Sequence, residues 1–312
     1  MASRGWAIRA FDPAADVAAV AKLTLQVATF DGGTPAMPTS LLSARLAHPG
    51  SERGAGWRVA VSHGGSVVGV LMVVVVGSLR TEVEVAVNPA FRRQGIGRAL
   101  IELAPRERRL LATSRASVAG ATALLEGVGF SKRYRSLVMR REVGKAPALS
   151  VEGAAFNDDT RRDARRAIAA LSAIHGDDAD TDRPWMKARL ARDRVGVVYL
   201  QAPGEEDRLV DAGICLVEPS DRARKGERTA SGEPIVGVLS EVGLLHTMRG
   251  KGMSRALVRE GTRLAERLGF RFAQVAADQR SASAVQLYER EGFEVVDEET
   301  HWWRREKRGS RH

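Results

Sequence analysis

The stretch RGKGMSRALV (Arg249–Val258) reads as a glycine turn running straight into a helix, and a near copy, RRQGIGRALI (Arg92–Ile101), stands 157 positions earlier (249 − 92). The first amides of a helix have no partner within it. The helix dipole favours negative charge there, and glycine lets the backbone come close to a ligand. A strand, a glycine turn and a helix in that order therefore predict a cradle for a pyrophosphate. It is not a Walker A loop, because GxxxxGK[ST] is absent, and the dinucleotide pattern GxGxxG is absent too. A tight turn without a ligand is the plain alternative for one copy. Two copies, each followed by the same downstream anchor, argue against it.

The repetition extends well beyond the turns. TEVEVAVNPAFRRQGIGRAL (Thr81–Leu100) lies over VLSEVGLLHTMRGKGMSRAL (Val238–Leu257), placing Glu84 on Glu241, Gly95 on Gly252 and Arg98 on Arg255. A second anchor follows each turn, LLEGVGF (Leu124–Phe130) and LYEREGF (Leu287–Phe293), now 163 positions apart (293 − 130). The second copy thus carries six extra residues between turn and anchor. Each copy ends in a short strand-like stretch, LVMRR or HWWRR. Similarity over so long a period means a duplicated domain rather than a solenoid. The chain is expected to divide into 1–142 and 143–312, with the linker in REVGKAPALS (Arg141–Ser150) unless the first strand of the second domain lies there.

Composition bounds the function. The chain has 312 residues, of which 44% are hydrophobic, enough for two buried cores. Cys215 has no cysteine partner, which fits a reducing compartment, and inside AGICLV it reads as a buried strand residue. No long apolar stretch follows the N-terminal MASRGWAIRA, so no signal peptide is expected and the cytoplasm is the expected location. The longest apolar run, Val67–Gly77, is too short to cross a bilayer. A net charge of +10 suits an anionic partner such as a nucleotide cofactor. The arginines are scattered with few aromatics among them, which speaks against nucleic acid. No His/Cys group has metal-ligand spacing.

The remaining segments alternate strands and helices. WAIRAF is expected as a strand, and DPAADVAAVAKLTLQ as a helix with Asp12 as N-cap and Pro13 at its first position. PTSLLSARLA is a second helix. WRVAVSH and SVVGVLMVVVV form a hairpin about a Gly-Gly turn, and TEVEVAV alternates as a half-buried strand does. The helix after the first glycine turn is expected from Gly97 to Leu111, with a kink at Pro105. In the second half, DDTRRDARRAIAALSAIHG and DRPWMKARLARD are helices, and VGVVYLQ, DAGICLVE and IVGVLSEVGLL are strands. A polar loop, Ser220–Gly232, precedes the last of these. It would either cover a substrate cleft or merely connect two strands.

The two turns resemble the acyl-CoA motif of the GNAT superfamily of N-acetyltransferases, [Q/R]-x-x-G-x-[G/A]. Arg92, Gly95 and Gly97 match it fully. Arg249 and Gly252 match, while Ser254 replaces the last small residue but keeps its backbone N–H. Members of the family often carry Asn-x-x-Ala-x-x-Leu-Tyr ahead of Gly-Phe. Here the second copy has Ser281, Ala284, Leu287 and Tyr288 before Gly292 and Phe293, and the first copy has Val118 and Leu125 at the asparagine and tyrosine positions. The tandem arrangement is similar to that of mycothiol synthases and of some antibiotic-modifying acetyltransferases.

The resemblance implies an α+β fold, two tandem domains each with a twisted mixed sheet of six or seven strands flanked by helices. It implies acetyl-CoA, or another acyl-CoA, as cofactor. The pyrophosphate would sit on Arg249, Gly250, Lys251, Gly252, Met253, Ser254 and Arg255, or on Arg92, Arg93, Gln94, Gly95, Ile96, Gly97 and Arg98. The pantetheine arm would run along the fourth strand at Leu244 and Leu245, or at Val87, with Ser281 also lining the site. An amine would attack the thioester directly, without a covalent enzyme intermediate. A strand N–H would steady the developing oxyanion.

The family tyrosine often protonates the leaving sulfur, and Tyr288 stands at its position where Leu125 cannot serve. This implies a catalytic second domain and a degenerate first one. A core tyrosine is the alternative. Glu241 is the candidate proton acceptor. Strand alternation places it with Leu239, Gly243 and Leu245, and the alternative is a structural carboxylate paired to an arginine. His246 lies near the turn, at a position where the family often has proline. Three functions stay open: acetylation of a small-molecule amine, acetylation of a protein or peptide, and non-catalytic acyl-CoA binding.

Overall fold

The computed structural model describes residues 5–31, 36–47, 49–76, 80–105, 109–118, 120–144, 155–158, 162–176, 183–203, 208–220 and 235–304. In chain order the elements are β1 (Trp6–Ala10), α1 (Pro13–Asp31), α2 (Thr39–Ala47), β2 (Arg58–Ser62), β3 (Val67–Val76), β4 (Arg80–Val87), α3 (Ile96–Glu102), β5 (Arg109–Arg115), α4 (Ala121–Gly127) and β6 (Ser131–Glu142). They continue with β7 (Ala155–Asp158), α5 (Ala164–His175), α6 (Arg183–Leu190), β8 (Gly196–Pro203), β9 (Leu209–Pro219), β10 (Val236–Leu244), α7 (Met253–Arg267), β11 (Phe272–Asp278), α8 (Ala282–Arg290) and β12 (Glu294–Arg304).

These elements build two compact units. The first takes the described residues up to Ser136 together with Glu298–Arg304, and the second takes Leu137–Ser220 and the described residues from 235 to Asp297. Relative to a single cut after residue 142, Leu137–Glu142 fall with the second unit and the last strand falls largely with the first. Arg141 and Glu142, read as linker in the sequence, end β6. Residues 145–150 of that stretch, and 221–232 of the polar loop, lie outside the described residues.

The first unit has strand order β1-β2-β3-β4-β5-β12-β6. Strands β1 to β4 pair antiparallel, β4 and β5 pair parallel, and β12 returns antiparallel to β5. Pro13 opens α1 after Asp12, whose Oδ1 accepts the Ala14 N–H at 2.9 Å. Trp57, Leu71, Leu100 and Leu110 are sealed in the core, and so is Trp302 of the last strand. Both indoles are satisfied: Trp57 Nε1 donates to Val73 O and Trp302 Nε1 to Ser114 Oγ, each at 2.8 Å.

The second unit repeats the plan, with strand order β6-β11-β10-β9-β8-β7. Helix α5 is capped by Asp163, which accepts the Arg165 N–H at 2.8 Å, and stops at Gly176 in the left-handed conformation. One cluster joins Leu239, Leu257, Val258, Val275 and Phe293, and another joins Ile168, Leu190, Tyr199 and Ile214. The two clusters cover opposite faces of the sheet, as layered packing requires.

Two expected elements are corrected. The helix read from Asp158 starts at Ala164, capped by Asp163, and Asp158 ends the strand β7. The helix read from Gly97 to Leu111 stops at Glu102, and Arg109–Arg115 is the strand β5. Pro105 lacks an N–H and disfavours helix at the residue before it, so the apolar Leu110 and Leu111 pair with β4 instead. The second copy has no proline there, and α7 runs 15 residues against 7 for α3. The six additional residues of the second copy therefore fall in this helix and the segment that follows it.

Candidate active site

Each glycine turn has the same backbone shape. In the second unit Gly250 and Gly252 both lie at φ +77°; in the first, Arg93 and Gly95 hold the matching places at +64° and +84°. Two left-handed residues separated by one turn successive N–H groups to one side, the geometry of an anion nest. A non-glycine residue is costly in that region, so Arg93 shows that the packing around the turn enforces it. Gly252 and Gly95 are the N-caps of α7 and α3, and neither helix has a side-chain cap. A Cβ on Gly250, Gly252 or Gly95 would meet nothing within 4 Å. The turns are uncrowded at these positions, and the cradle fits a phosphate group. Gly97 differs: its Cβ would lie 3.0 Å from Leu124, so it serves helix packing.

The cations of the two turns are employed differently. Arg92 forks onto Asp31 at 2.7 and 2.8 Å and donates Nε to Val87 O at 3.2 Å, tying the first turn to α1. Arg249 and Lys251 are exposed and bond through their side chains to no described residue. Arg255 is held by Glu291, which also accepts from Arg259 at 2.6 Å. Arg98 approaches Glu102 at 3.8 Å.

Above each turn two parallel strands part. Among the described residues, β4 and β5 pair only at Arg80–Arg109, Thr81–Leu110 and Glu82–Leu111. β10 and β11 pair only at Val236–Phe272, Gly237–Ala273 and Val238–Gln274. Beyond those pairs the strands run on to Val87 and Leu244 without facing each other. The wedge leaves that side of β4 and β10 without a facing strand, where another chain-like molecule can hydrogen-bond as an added strand does.

Tyr288 lies on α8 in the same cluster as Leu244, which ends β10, and Met253, which begins α7. It is 8% exposed, and its ring meets Phe293 edge-on with centroids 5.7 Å apart. Its hydroxyl bonds to no described residue. Burial pushes the phenol up to about 12, with a smaller contribution from Cys215, so it holds its proton at neutral pH. Burial alone pushes the Cys215 thiol up to about 12, which leaves it unreactive. The first unit has the buried Leu125 at the tyrosine position.

Glu241 sits where β10 breaks its register. Ser240 faces Leu216 and Gly243 faces Ile214, so one extra residue bulges out, and Glu241 takes φ +50°. This alters the expected alternation with Leu239, Gly243 and Leu245. Ser240 and Glu241 converge on one guanidinium, that of Arg189 on α6, at 2.9 and 2.8 Å. Arg189 also forks onto Glu218 of β9, at 2.6 Å from Nη2 and 3.2 Å from Nε. Burial disfavours the Arg189 cation, but the two carboxylates outweigh it and raise its pKa above the ordinary value. Burial likewise opposes ionisation of Glu218, and Arg189, Ser240 and Arg192 still hold it below the usual range. His246 is exposed on a one-turn 3₁₀ helix after β10. Among the described residues no group of three His, Cys, Asp or Glu could hold a metal ion, and no helix is long and apolar enough to cross a membrane.

Residues 54–132 match the acetyltransferase (GNAT) domain family. A mycothiol acetyltransferase of Salinispora arenicola is 32% identical over 227 residues, covering 68% of this chain and 69% of the relative. The chain belongs to the GNAT acetyltransferases. A second mycothiol acetyltransferase, from Geodermatophilus obscurus, is 29% identical over 229 residues, covering 70% and 71%. Among solved structures, the fold is shared with a tandem GNAT protein from the clavulanic acid biosynthesis pathway, at 19% identity and TM-score 0.70 over 96% of this chain and 98% of that one. It is shared too with a GCN5-related N-acetyltransferase from Sphaerobacter thermophilus, at 22% identity and TM-score 0.66 over 97% and 96%. This GNAT protein is thus an acetyltransferase of tandem architecture. The family match falls on the first copy, whose turn fits the motif without departure, while the tyrosine is in the second.

Reading the repeat from its glycine turns overlooked Arg189 and Glu218. A signal was available: Ala-Arg-Leu-Ala occurs at 44–47 and again at 188–191. Its arginine reaches the same strand glutamate in both copies, since Arg45 pairs with Glu84 at 2.7 Å as Arg189 does with Glu241.

Proposed function

We propose that this GNAT enzyme transfers an acetyl group from acetyl-CoA to a primary amine of a small molecule, and that the second unit does the chemistry. The observation that carries the reading is the combination found there alone: an open glycine cradle on the 15-residue helix α7, and Tyr288 in the cluster that joins the ends of β10 and α7. Bound acetyl-CoA supplies an activated thioester for direct attack by the amine. The amides of Gly250 to Arg255 would hold its phosphates, and β10 near Leu244 and Leu245, with Ser281, would line the path of its arm. Glu241 would take the proton of the amine, and Tyr288 Oη would give one to the departing sulfur. General acid–base help of this kind contributes about 10²–10⁴-fold.

The first unit is proposed as non-catalytic. It offers Leu125 for the tyrosine, a short helix, and an arginine already spent on Asp31. Its open turn at Gly95 fits acyl-CoA all the same, so occupancy without turnover is expected. The acceptor class follows from the relatives' name: amines of the mycothiol type are the first candidates. The test is CoA thiol release from acetyl-CoA against a panel of small-molecule amines, including the unacetylated precursor of mycothiol, and of peptides with free N-termini. Turnover restricted to peptides would refute the small-molecule reading, and none with any amine would refute the enzyme reading.

A further inference from the structure

The clamp formed by Arg189, Glu218 and Glu241 does more than tie α6 to the sheet. Arg189 is 8% exposed in its side chain, and a buried guanidinium needs its charge matched. Glu218 makes the bidentate match, with both oxygens on two nitrogens of the fork. The remaining nitrogen, Nη1, holds Glu241 by a single oxygen, Oε1, and the Glu241 side chain is 34% exposed. Ser240 Oγ closes the arrangement by donating to Glu218 at 2.8 Å. Glu241 is held at φ +50°, which side-chain-bearing residues rarely adopt and which persists only where the surroundings enforce it.

The first unit provides a comparison within one molecule. Arg45 touches Glu84 at 2.7 Å and Glu82 at 3.7 Å, both well exposed. Strand β3 contains no acidic residue, so nothing corresponds to Glu218. Strand β4 runs through Glu84 without a bulge, in register with Met72 of β3. The arginine of the repeat thus occurs in both units, but the carboxylate on the neighbouring strand and the bulge occur in one. That unit is the one with Tyr288.

We propose that Arg189 is a positioning residue: held by Glu218, it fixes the bulge of β10 so that the free oxygen of Glu241 faces the acceptor amine. The inference rests on the reading of Glu241 as proton acceptor. Among the described residues, Arg192 lies 3.7 Å from Glu218 of the same clamp, and His175 Nε2 of α5 lies 3.4 Å from where a Cβ on Gly243, two residues along β10, would stand.

The test is a double-mutant cycle in the full chain, following CoA thiol release from acetyl-CoA with the best amine of the panel, with acetyl-CoA affinity by calorimetry and folding by thermal denaturation. Glu241→Gln is expected to lower kcat by about 10²-fold. Arg189→Met is expected to lower it by about 10-fold while the Kd for acetyl-CoA stays put, and the double variant should be no slower than Glu241→Gln, because both act in one step. Should Arg189→Met fold poorly, Arg189→Lys keeps the charge and loses the fork, and it is expected to show the same non-additivity. If Glu241→Gln is slow but the arginine variants match the parent, or multiply with it, the positioning role is wrong. If Glu241→Gln matches the parent, the proton-acceptor reading itself is wrong.

Discussion

Replacing Tyr288 by phenylalanine removes one oxygen from a site whose packing is otherwise kept. The ring contact with Phe293 survives, and the hydroxyl has no bond to a described residue to lose. Removing a polar group that makes no hydrogen bond costs the fold little, so the unfolding midpoint should stay within a few degrees of the parent. The effect on turnover is of another kind. Burial keeps the phenol protonated up to about 12, so it is a donor throughout the neutral range. A proton donor is worth about 10²–10⁴-fold. The leaving thiol, with an ordinary pKa of roughly 8.5, departs tolerably as a thiolate, which puts the loss at or below the lower end of that range. A fall in kcat of about 10–10²-fold is expected, equivalent to roughly 1.4–2.7 kcal/mol of transition-state stabilisation. Acetyl-CoA affinity should not move, because the hydroxyl acts when charge develops on sulfur. Thiol release with an accepted amine measures the rate, and calorimetry measures the affinity. Parental kcat in a folded variant would refute the role given to Tyr288.

Three further outcomes follow from other parts of the molecule. Calorimetric titration with acetyl-CoA should give up to two sites per chain, with Gly252→Glu removing one and Gly95→Glu the other, since a carboxylate would occupy an open phosphate cradle; unchanged stoichiometry in both folded variants would contradict this. Gly261→Ala should destabilise the second unit by about 1–3 kcal/mol despite a better helix propensity, because its Cβ would meet Cys215 Sγ at 2.5 Å, and Cys215→Ala in the same chain should recover most of the loss in denaturant unfolding. Asp16 and Asp211 are held below the usual carboxylate range, first by hydrogen bonds from Arg9 and Arg166, against the opposing effect of burial. Their folded pKa values are depressed, so their contribution is complete above the unfolded value near 4 and is lost as pH falls through the folded value. Asp211→Asn should therefore lower the unfolding midpoint at pH 7 and flatten its decline below about pH 4.

The parts of this structure that were plain in the sequence are those set by local chemistry. Asp12-Pro13 starts a helix because a side-chain oxygen and a missing N–H suit a first turn. The two glycine turns declare themselves because few other residues tolerate their φ. Arg93 shows the limit of that rule: it holds a left-handed conformation with nothing in its own chemistry to announce it. The helix beyond Gly97 was misread because Leu110 and Leu111 suit a helix face and a buried strand alike, and only pairing with β4 decides between them. The bulge at Glu241 was hidden for a related reason. Alternation in SEVGLL reads as an unbroken strand, and what breaks it is a buried arginine 52 residues earlier in the chain. The return of β12 to the first unit depends on which strand edge is open, a property of the folded sheet rather than of HWWRR.

The most direct test of the account is the initial rate of CoA thiol release, with one accepted amine at saturating acetyl-CoA, for Gly252→Glu and Gly95→Glu side by side. With both variants folded, turnover confined to the second unit predicts that Gly252→Glu loses at least about 10²-fold, while Gly95→Glu stays within about two-fold of the parent. A dead Gly95→Glu beside an active Gly252→Glu would contradict it and move the chemistry to the first unit.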